Sequence, residues 1–272
     1  MVDGCVVVEL GGRLGNMLFG MATALQYAKK YCKDKVYFHI RDSIWRRYYE
    51  TYTAFHLFDE WKGDMSGFTK LKNRDDYIFE ELPYVEGNVY IDGSFESELW
   101  FPDKDLIDRS FVCPDELKDS IRNEYQDIED CVGISIRRGD YLHFNKIFYV
   151  PKITWFTDMY IKYFDGRPAI VFSDDIDWVK RNIGGNKNFM FYDNAHTSDM
   201  YMIKDPNRNI FTMAMCKDHI CSHSTWAWWG CRLLEREGSV NIFHDKRFKP
   251  THPLDESNYI PNRWIKEVAE YD

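Results

Sequence analysis

Two adjacent arginines, Arg137 and Arg138, followed by Gly139 and Asp140, stand directly after the apolar run 132–136. Consecutive residues leaving a strand project to opposite sides of the chain. Gly139 permits a turn that brings backbone close to a ligand. Each guanidinium offers paired hydrogen bonds to a phosphate and keeps its proton at every accessible pH. This is chemistry for holding an anionic leaving group. A plain surface salt bridge between Arg138 and Asp140 would use the same residues, and it is their place at a strand end that favours the binding role. A second segment, Gly11-Gly12-Arg13-Leu14-Gly15-Asn16, joins a strand to a helix. Around Gly12 it gathers flexible amides, the Arg13 guanidinium and the Asn16 amide at a helix start, a setting suited to anions and polar ligands. The glycines at 11, 12 and 15 do not match the dinucleotide fingerprint, and a tight turn with close helix–sheet packing explains them equally well.

Ser173-Asp174-Asp175-Ile176-Asp177 places carboxylates at 175 and 177, a spacing able to hold a divalent cation against a diphosphate. The same spacing starts a helix, and the arginine pair already supplies positive charge, so a metal is redundant. Ser222-His223-Ser224-Thr225 offers hydroxyls and amides at another helix start, for an anion, for a base edge or simply for capping. His143, His219 and His223 lack ligand spacing, and neither a G-x-S-x-G elbow nor a Cys/His nucleophile pattern occurs. No metal and no cofactor are expected.

The elements that must carry these segments alternate between apolar strand-like runs and helix-period stretches, the pattern of an α/β chain with parallel sheets. Strands are predicted at 6–10, 36–40, 89–92, 132–136, 169–172, 189–192, 219–222 and 240–243. Helices are predicted at about 17–31, 115–130, 153–164 and 208–217, from 224 to just before Gly238, and finally at 263–271. In the Trp-rich helix Trp226, Trp229, Gly230 and Leu233 share one face. Residues 41–88 read as mostly irregular. The organisation expected is an N-terminal half at 1–127, a C-terminal half at 128–250 and a tail or helix at 251–272. Open α/β sheets bind ligands at the carboxyl ends of their strands, and all four segments above lie there.

Composition bounds the partners. The chain has 272 residues, 35 basic and 44 acidic, a formal net charge of −9. Such a chain does not hold nucleic acid by bulk charge, so an anionic ligand needs a local cationic cluster. Aromatics form 17%, which serves a packed core first and a sugar- or base-stacking surface second. Seven cysteines without a C-x-x-C pair argue against a disulfide framework or zinc site and for a reducing compartment. The uncharged run 14–28 is shorter than the roughly 18 residues that span a bilayer, and no secretory pattern opens the chain. A soluble cytoplasmic protein of undetermined oligomeric state is expected.

Taken together, the segments resemble the α-1,2-fucosyltransferase family, glycosyltransferase family 11. Gly12-Arg13-Leu14-Gly15-Asn16 is similar to its first-strand turn, and Asp92-Gly93-Ser94-Phe95-Glu96-Ser97-Glu98 to its Gly-Tyr-Phe-Gln-Ser segment. Ile136-Arg137-Arg138-Gly139-Asp140-Tyr141 resembles its His-x-Arg-Arg-Gly-Asp-Tyr signature. Phe172-Ser173-Asp174-Asp175 with Trp178, and the stretch from Met215 to Gly230, resemble the last two motifs. Four positions depart: Ser135 for the signature His, Met17 for Gln, His223 for Asn and Glu96 for Gln. The resemblance implies a GT-B-like fold, two Rossmann-type halves facing a central cleft. It implies a GDP-β-L-fucose donor bound mainly by the second half and a glycan acceptor bound mainly by the first. The implied reaction is inverting, metal-independent transfer to the 2-hydroxyl of a sugar, usually galactose. In that scheme Arg137 or Arg138 stabilises the departing GDP. Asn16 and Arg13 reach the fucose and phosphate, and Ser173, Asp174, Ser224 and Thr225 line the nucleotide. Asp140 and Glu96 are the carboxylates available as a base. A non-catalytic glycan- or nucleotide-binding protein of the same fold, or a transferase using another GDP-sugar, is the alternative.

Overall fold

The computed structural model describes residues 4–41, 46, 57–73, 78–192, 205–252 and 254–272. They form two compact units, Met1–Val112 with Asp255–Pro261, and Cys113–Leu254 with Asn262–Asp272. The division therefore precedes the acidic helix Asp115–Glu124 instead of following it, and the last residues of the chain are shared between the units.

In the first unit β1 (Cys5–Glu9) lies between β2 (Lys35–His39) and β5 (Val89–Asp92), all parallel. Two short strands in the stretch read as irregular, β3 (Asp59–Glu60) and β4 (Thr69–Lys72), extend the sheet to the order β3-β2-β1-β5-β4. Residues 42–45, 47–56 and 74–77 of that stretch lie outside the described residues. Helix α1 (Leu14–Lys30) covers one face with Leu14, Met17, Leu18, Met21 and Ala28, the apolar positions at helical spacing. Gly20 on this helix lies over Val8 and Leu10. Alternation along β1 therefore directs Val7 and Glu9 to the opposite face. Helix α2 (Lys104–Ser110) follows, its start capped by the Asp103 carboxylate on the Leu106 amide at 2.9 Å.

The second unit opens with α3 (Asp115–Glu124) and contains a six-stranded, wholly parallel sheet. Its strands are β6 (Val132–Ile136), β7 (Ala169–Ser173), β8 (Phe189–Phe191), β9 (Asp218–Cys221), β10 (Asn241–His244) and β11 (Ile265–Glu267). Every residue of β6, β7, β9 and β10 is buried, as expected for strands covered on both faces. The order β11-β10-β9-β6-β7-β8 is the Rossmann order, with the first strand central, the next two to one side and the last three to the other. Helices α4 (Gly139–His143), α5 (Ile153–Phe164), α6 (Ile176–Ile183), α7 (Pro206–Met215) and α8 (Thr225–Arg232) make the connections.

Two expectations are corrected here. The final helix over 263–271 is not formed. Residues 265–267 add instead as a parallel edge strand on β10, with Ile242 opposite Ile265. Trp264 then stacks on Phe243 (5.4 Å, 4°) and meets Trp228. Burying that indole and pairing the free edge of β10 outweigh a helical propensity worth tenths of a kcal/mol per residue, on the order of packing's smallest terms. In α8, Trp228 is fully buried alongside Trp229, while Trp226 is only partly covered. The helix is enclosed on more than the one predicted face. No described helix is long and apolar enough to cross a membrane. All seven cysteines are free.

Candidate active site

The chain runs from β6 to β7 and β8 on one side and then crosses from β8 to β9 on the other side of β6, so the switch point lies at the carboxyl ends of β6 and β9. Arg137 stands there. Its amide donates to Ser222 Oγ, just beyond β9, at 2.9 Å. Its guanidinium is held on two sides, Nη2 by Asp140 Oδ2 at 2.7 Å and Nη1 by Asp174 Oδ2 at 3.0 Å, and it lies near the Tyr141 ring. Burial opposes the charge, but the two carboxylates outweigh it and raise the Arg137 pKa above its ordinary value. Arg138 points to the other side. Its guanidinium stacks 3.6 Å above Trp178 of α6, with Asp272 at 3.1 Å and Asp175 at 3.7 Å. The salt bridge available to Asp140 is therefore made with Arg137, not Arg138.

Asp174 organises the loop. Its Oδ1 accepts the amides of Arg138 (2.9 Å) and Gly139 (3.0 Å), while Oδ2 meets Arg137. The approach is so close that a Cβ on Gly139 would sit 2.9 Å from Asp174 Oδ2; any side chain there displaces the carboxylate. Ser173 is buried, and its Oγ accepts the Asp175 amide at 3.0 Å. Asp175 occupies the N-cap position of α6 without a side-chain capping bond, so its carboxylate serves Arg138 instead of the helix. Asp177 is exposed. Ser224 occupies the N-cap position of α8 and likewise makes no side-chain capping bond, with Thr225 beginning the helix.

The Ser222–Thr225 loop rests on a buried histidine pair. The His223 amide donates to His244 Nε2 (3.1 Å), and His223 Nε2 donates to the His244 carbonyl (2.6 Å). Tyr141 OH donates to the His223 carbonyl at 2.8 Å, tying the loop to the Arg137 segment. Burial lowers both histidine pKa values, that of His244 from 6.5 to about 3. Geometry agrees, since His244 Nε2 must stay unprotonated to accept an amide hydrogen. Between pH 6.5 and about 3 the unfolded chain binds more protons than the folded one, so stability rises with pH across that window. The thermal midpoint is expected to fall progressively on acidification through it, and His244→Gln is expected to flatten that slope. A midpoint independent of pH in this range would contradict the account.

In the first unit the Gly12 turn keeps its predicted place. Gly12 has φ +72°, a left-handed conformation, and a Cβ there would meet Asn16 Nδ2 at 2.8 Å. Arg13 takes the N-cap position of α1, and its carbonyl accepts the Asn16 amide at 3.0 Å. Glu96 lies beyond β5, the strand beside β1, but is buried at 4% exposure. The structure thus gathers Arg137, Arg138, Asp140 and Asp174 with Ser222 at one switch point. It sets Gly12, Arg13, Asn16 and Glu96 at the carboxyl ends of adjacent strands in the other sheet. Ser222 belongs to the hydroxyl-rich segment already singled out; Tyr141, Trp178 and Asp272 complete the arginine site without having been singled out for it, Tyr141 and Trp178 lying inside the quoted motifs, whereas nothing local marks Asp272.

A profile of glycosyl transferase family 11 matches residues 89–267. The O-antigen biosynthesis glycosyltransferase WbnK of Escherichia coli is 28% identical over 185 residues, 61% of this chain and 58% of its own length. An α-1,2-colitosyltransferase of Escherichia coli is 23% identical across 96% of this chain and 98% of its own. Among solved structures, the fucosyltransferase NodZ from Bradyrhizobium superposes with a TM-score of 0.54 at 15% identity, covering 86% of this chain and 94% of that one. A family 9 glycosyl transferase from Veillonella parvula gives 0.53 at 10% identity, covering 100% and 89%. These likenesses carry the fold, an α/β chain with two parallel sheets of GT-B-like kind.

Proposed function

The chain belongs to glycosyl transferase family 11, and from that premise we propose that it moves L-fucose from GDP-β-L-fucose to the 2-hydroxyl of a glycan, a galactoside in the first instance, with inversion. The observation that carries this reading is the fixing of Arg137 at the switch point by Asp140, Asp174 and Ser222. As the bond between the sugar and the diphosphate breaks, negative charge grows on GDP. A cation held in place before the reaction stabilises that charge without reorganising. Topology favours Arg137 over Arg138 for this role, because the latter is committed to Trp178 and Asp272.

Ser173, Asp174, Ser224 and Thr225 are assigned to the nucleotide side and Gly12, Arg13, Asn16 and Glu96 to the sugar and acceptor. The second unit is read as donor-binding and the first as acceptor-binding. The NodZ structures include one co-crystallised with GDP and one soaked with GDP-fucose, which supports a GDP-linked donor. A second reading, transfer of colitose from its GDP derivative, is favoured by the colitosyltransferase relative that spans nearly the whole chain.

Purified protein incubated with GDP-fucose, GDP-colitose or GDP-mannose and a glycan panel headed by lactose tests both readings by mass spectrometry of the products. Fucosylated product that loses its label to an α-1,2-specific fucosidase is expected. GDP binding without product on any acceptor would favour a non-catalytic role. Asp175 is engaged by Arg138, and the arginine pair supplies positive charge for a diphosphate. Activity is accordingly expected to survive EDTA; a loss restored by Mg²⁺ or Mn²⁺ would overturn the metal-independent scheme.

A further inference from the structure

The second unit carries a cluster of cations that the arginine site does not use. Residues 141–152 contain Lys146 and Lys152, residues 246–254 contain Lys246, Arg247 and Lys249, and neither stretch holds an Asp or Glu. The fold brings the two stretches together. After α4 the chain turns, and the Phe144 carbonyl accepts the amides of Ile147 at 2.8 Å and Phe148 at 3.1 Å. Phe148 then pairs antiparallel with Phe248. The Tyr149 amide donates to the Arg247 carbonyl at 2.9 Å and the Lys249 amide to the Ile147 carbonyl at 2.7 Å. The Thr251 hydroxyl closes on the Lys146 carbonyl. The ammonium groups of Lys246 and Lys249 lie 5.8 Å and 5.5 Å from the centre of the Tyr149 ring, so both charges gather at one aromatic side chain.

Charge, apolarity and the kind of cation say what this surface meets. In a chain of net charge −9, lysines elsewhere on the same unit face carboxylates: Lys118 meets Asp115, Lys152 meets Glu270 and Lys162 meets Glu267. Lys146, Lys246 and Lys249 form no such pair among the described residues. Asp245, the acid next to them in sequence, is taken by the Tyr271 hydroxyl at 2.5 Å and the Ala269 amide at 3.1 Å. His143, Phe144, Asn145 and Lys146 are exposed in succession, and the Phe144 side chain stands 52% exposed. Arg247, whose planar fork would suit one bidentate phosphate, is instead buried. The cations presented are ammonium groups on flexible stems, point charges that suit a diffuse anionic surface. An exposed aromatic ring among lysines is the combination that enters a headgroup layer while holding anionic lipid. We propose that Phe144, Lys146, Lys246 and Lys249 dock the protein peripherally on an anionic lipid bilayer. Tyr141, stacked on Phe148 (4.0 Å, 7°) and lying near Arg137, makes this face continuous with the arginine site of the same unit. The proposal goes beyond the transfer reading and stands without it.

The test mixes the full chain with vesicles of phosphatidylcholine and phosphatidylglycerol in equal parts, or of phosphatidylcholine alone, and reads the bound fraction by flotation. Binding to the anionic vesicles and not to the neutral ones is expected. It should weaken as salt rises from about 0.1 M to about 1 M, which shortens the screening length from about 10 Å to about 3 Å. Each lysine brought to an anionic surface is expected to contribute about fivefold to the partition, so replacing Lys146, Lys246 and Lys249 together by Gln should weaken binding about a hundredfold. Phe144→Ser removes the ring and keeps every charge, and it should cost about tenfold. Lys118→Gln and Lys162→Gln, on other faces, should bind as wild type does. Thermal midpoints separate lost docking from lost folding. If the triple variant melts early, Lys146→Gln and Phe144→Ser, which leave the Tyr149 contacts in place, carry the comparison. Wild type that ignores anionic vesicles, equal binding to neutral ones, or undiminished binding by these variants overturns the proposal. Binding to single-stranded RNA without binding to vesicles also overturns it, in favour of a nucleic-acid surface.

Discussion

Arg137→Ala is expected to lower kcat by about 10²–10³, the usual cost of removing one pre-oriented group that stabilises developing negative charge. The loss should exceed that of Arg138→Ala. Arg137 lies at the β6/β9 switch point with its amide on Ser222 and its guanidinium spanned by two carboxylates, whereas Arg138 is stacked on Trp178 and paired with Asp272. Lysine is not expected to rescue position 137. A single ammonium cannot occupy both the Asp140 and Asp174 contacts and still present a planar fork to a diphosphate. Removing the guanidinium also leaves two partly buried carboxylates without their counter-charge, so some loss of stability accompanies the change. Melting curves and GDP affinity separate that effect from the loss in rate. Steady-state kinetics in which Arg138→Ala is the more damaging variant would reject the assignment by topology.

The second sheet was legible because its strands are covered on both faces. Val132–Ile136 is apolar but for Ser135 and Ala169–Phe172 is apolar throughout, and no neighbouring sequence competes with that signal. β11 was not legible: Lys266 and Glu267 break the apolar run, and the strand exists because β10 offers an edge and Trp264 finds Phe243. β3 and β4 are too short to carry a period. The candidate site divides in the same way. Arg137, Arg138, Asp140 and Asp174 could be selected because their types sit at strand ends. Which arginine turns toward β9 could not, because it depends on strand order and not on spacing.

Strand order also leaves the arginine site with an uneven charge count: two guanidinium groups face four carboxylates, Asp140, Asp174, Asp175 and Asp272. Of these, Asp174 does two separable jobs, and replacing it distinguishes them. Asp174→Ala orphans the amides of Arg138 and Gly139 as well as freeing one side of Arg137. Unmade hydrogen bonds to partly buried amides cost about 1–3 kcal/mol each, and the loop that aims Arg137 loses its anchor. A drop in kcat/KM of at least about a hundredfold is expected, a loss of transition-state stabilisation on the scale of a misaimed charge donor, with a lower thermal midpoint. Asp174→Asn retains an oxygen for both amides, removes the charge and turns an amide N–H group toward the Arg137 guanidinium in place of the accepting Oδ2. It is expected to keep the wild-type midpoint and to lose about tenfold in kcat/KM, near the 1.4 kcal/mol scale of a single weakened charge-assisted contact. If Asn were as damaging as Ala while melting normally, the carboxylate's charge on Arg137, and not its hold on the loop, would be the property the site requires.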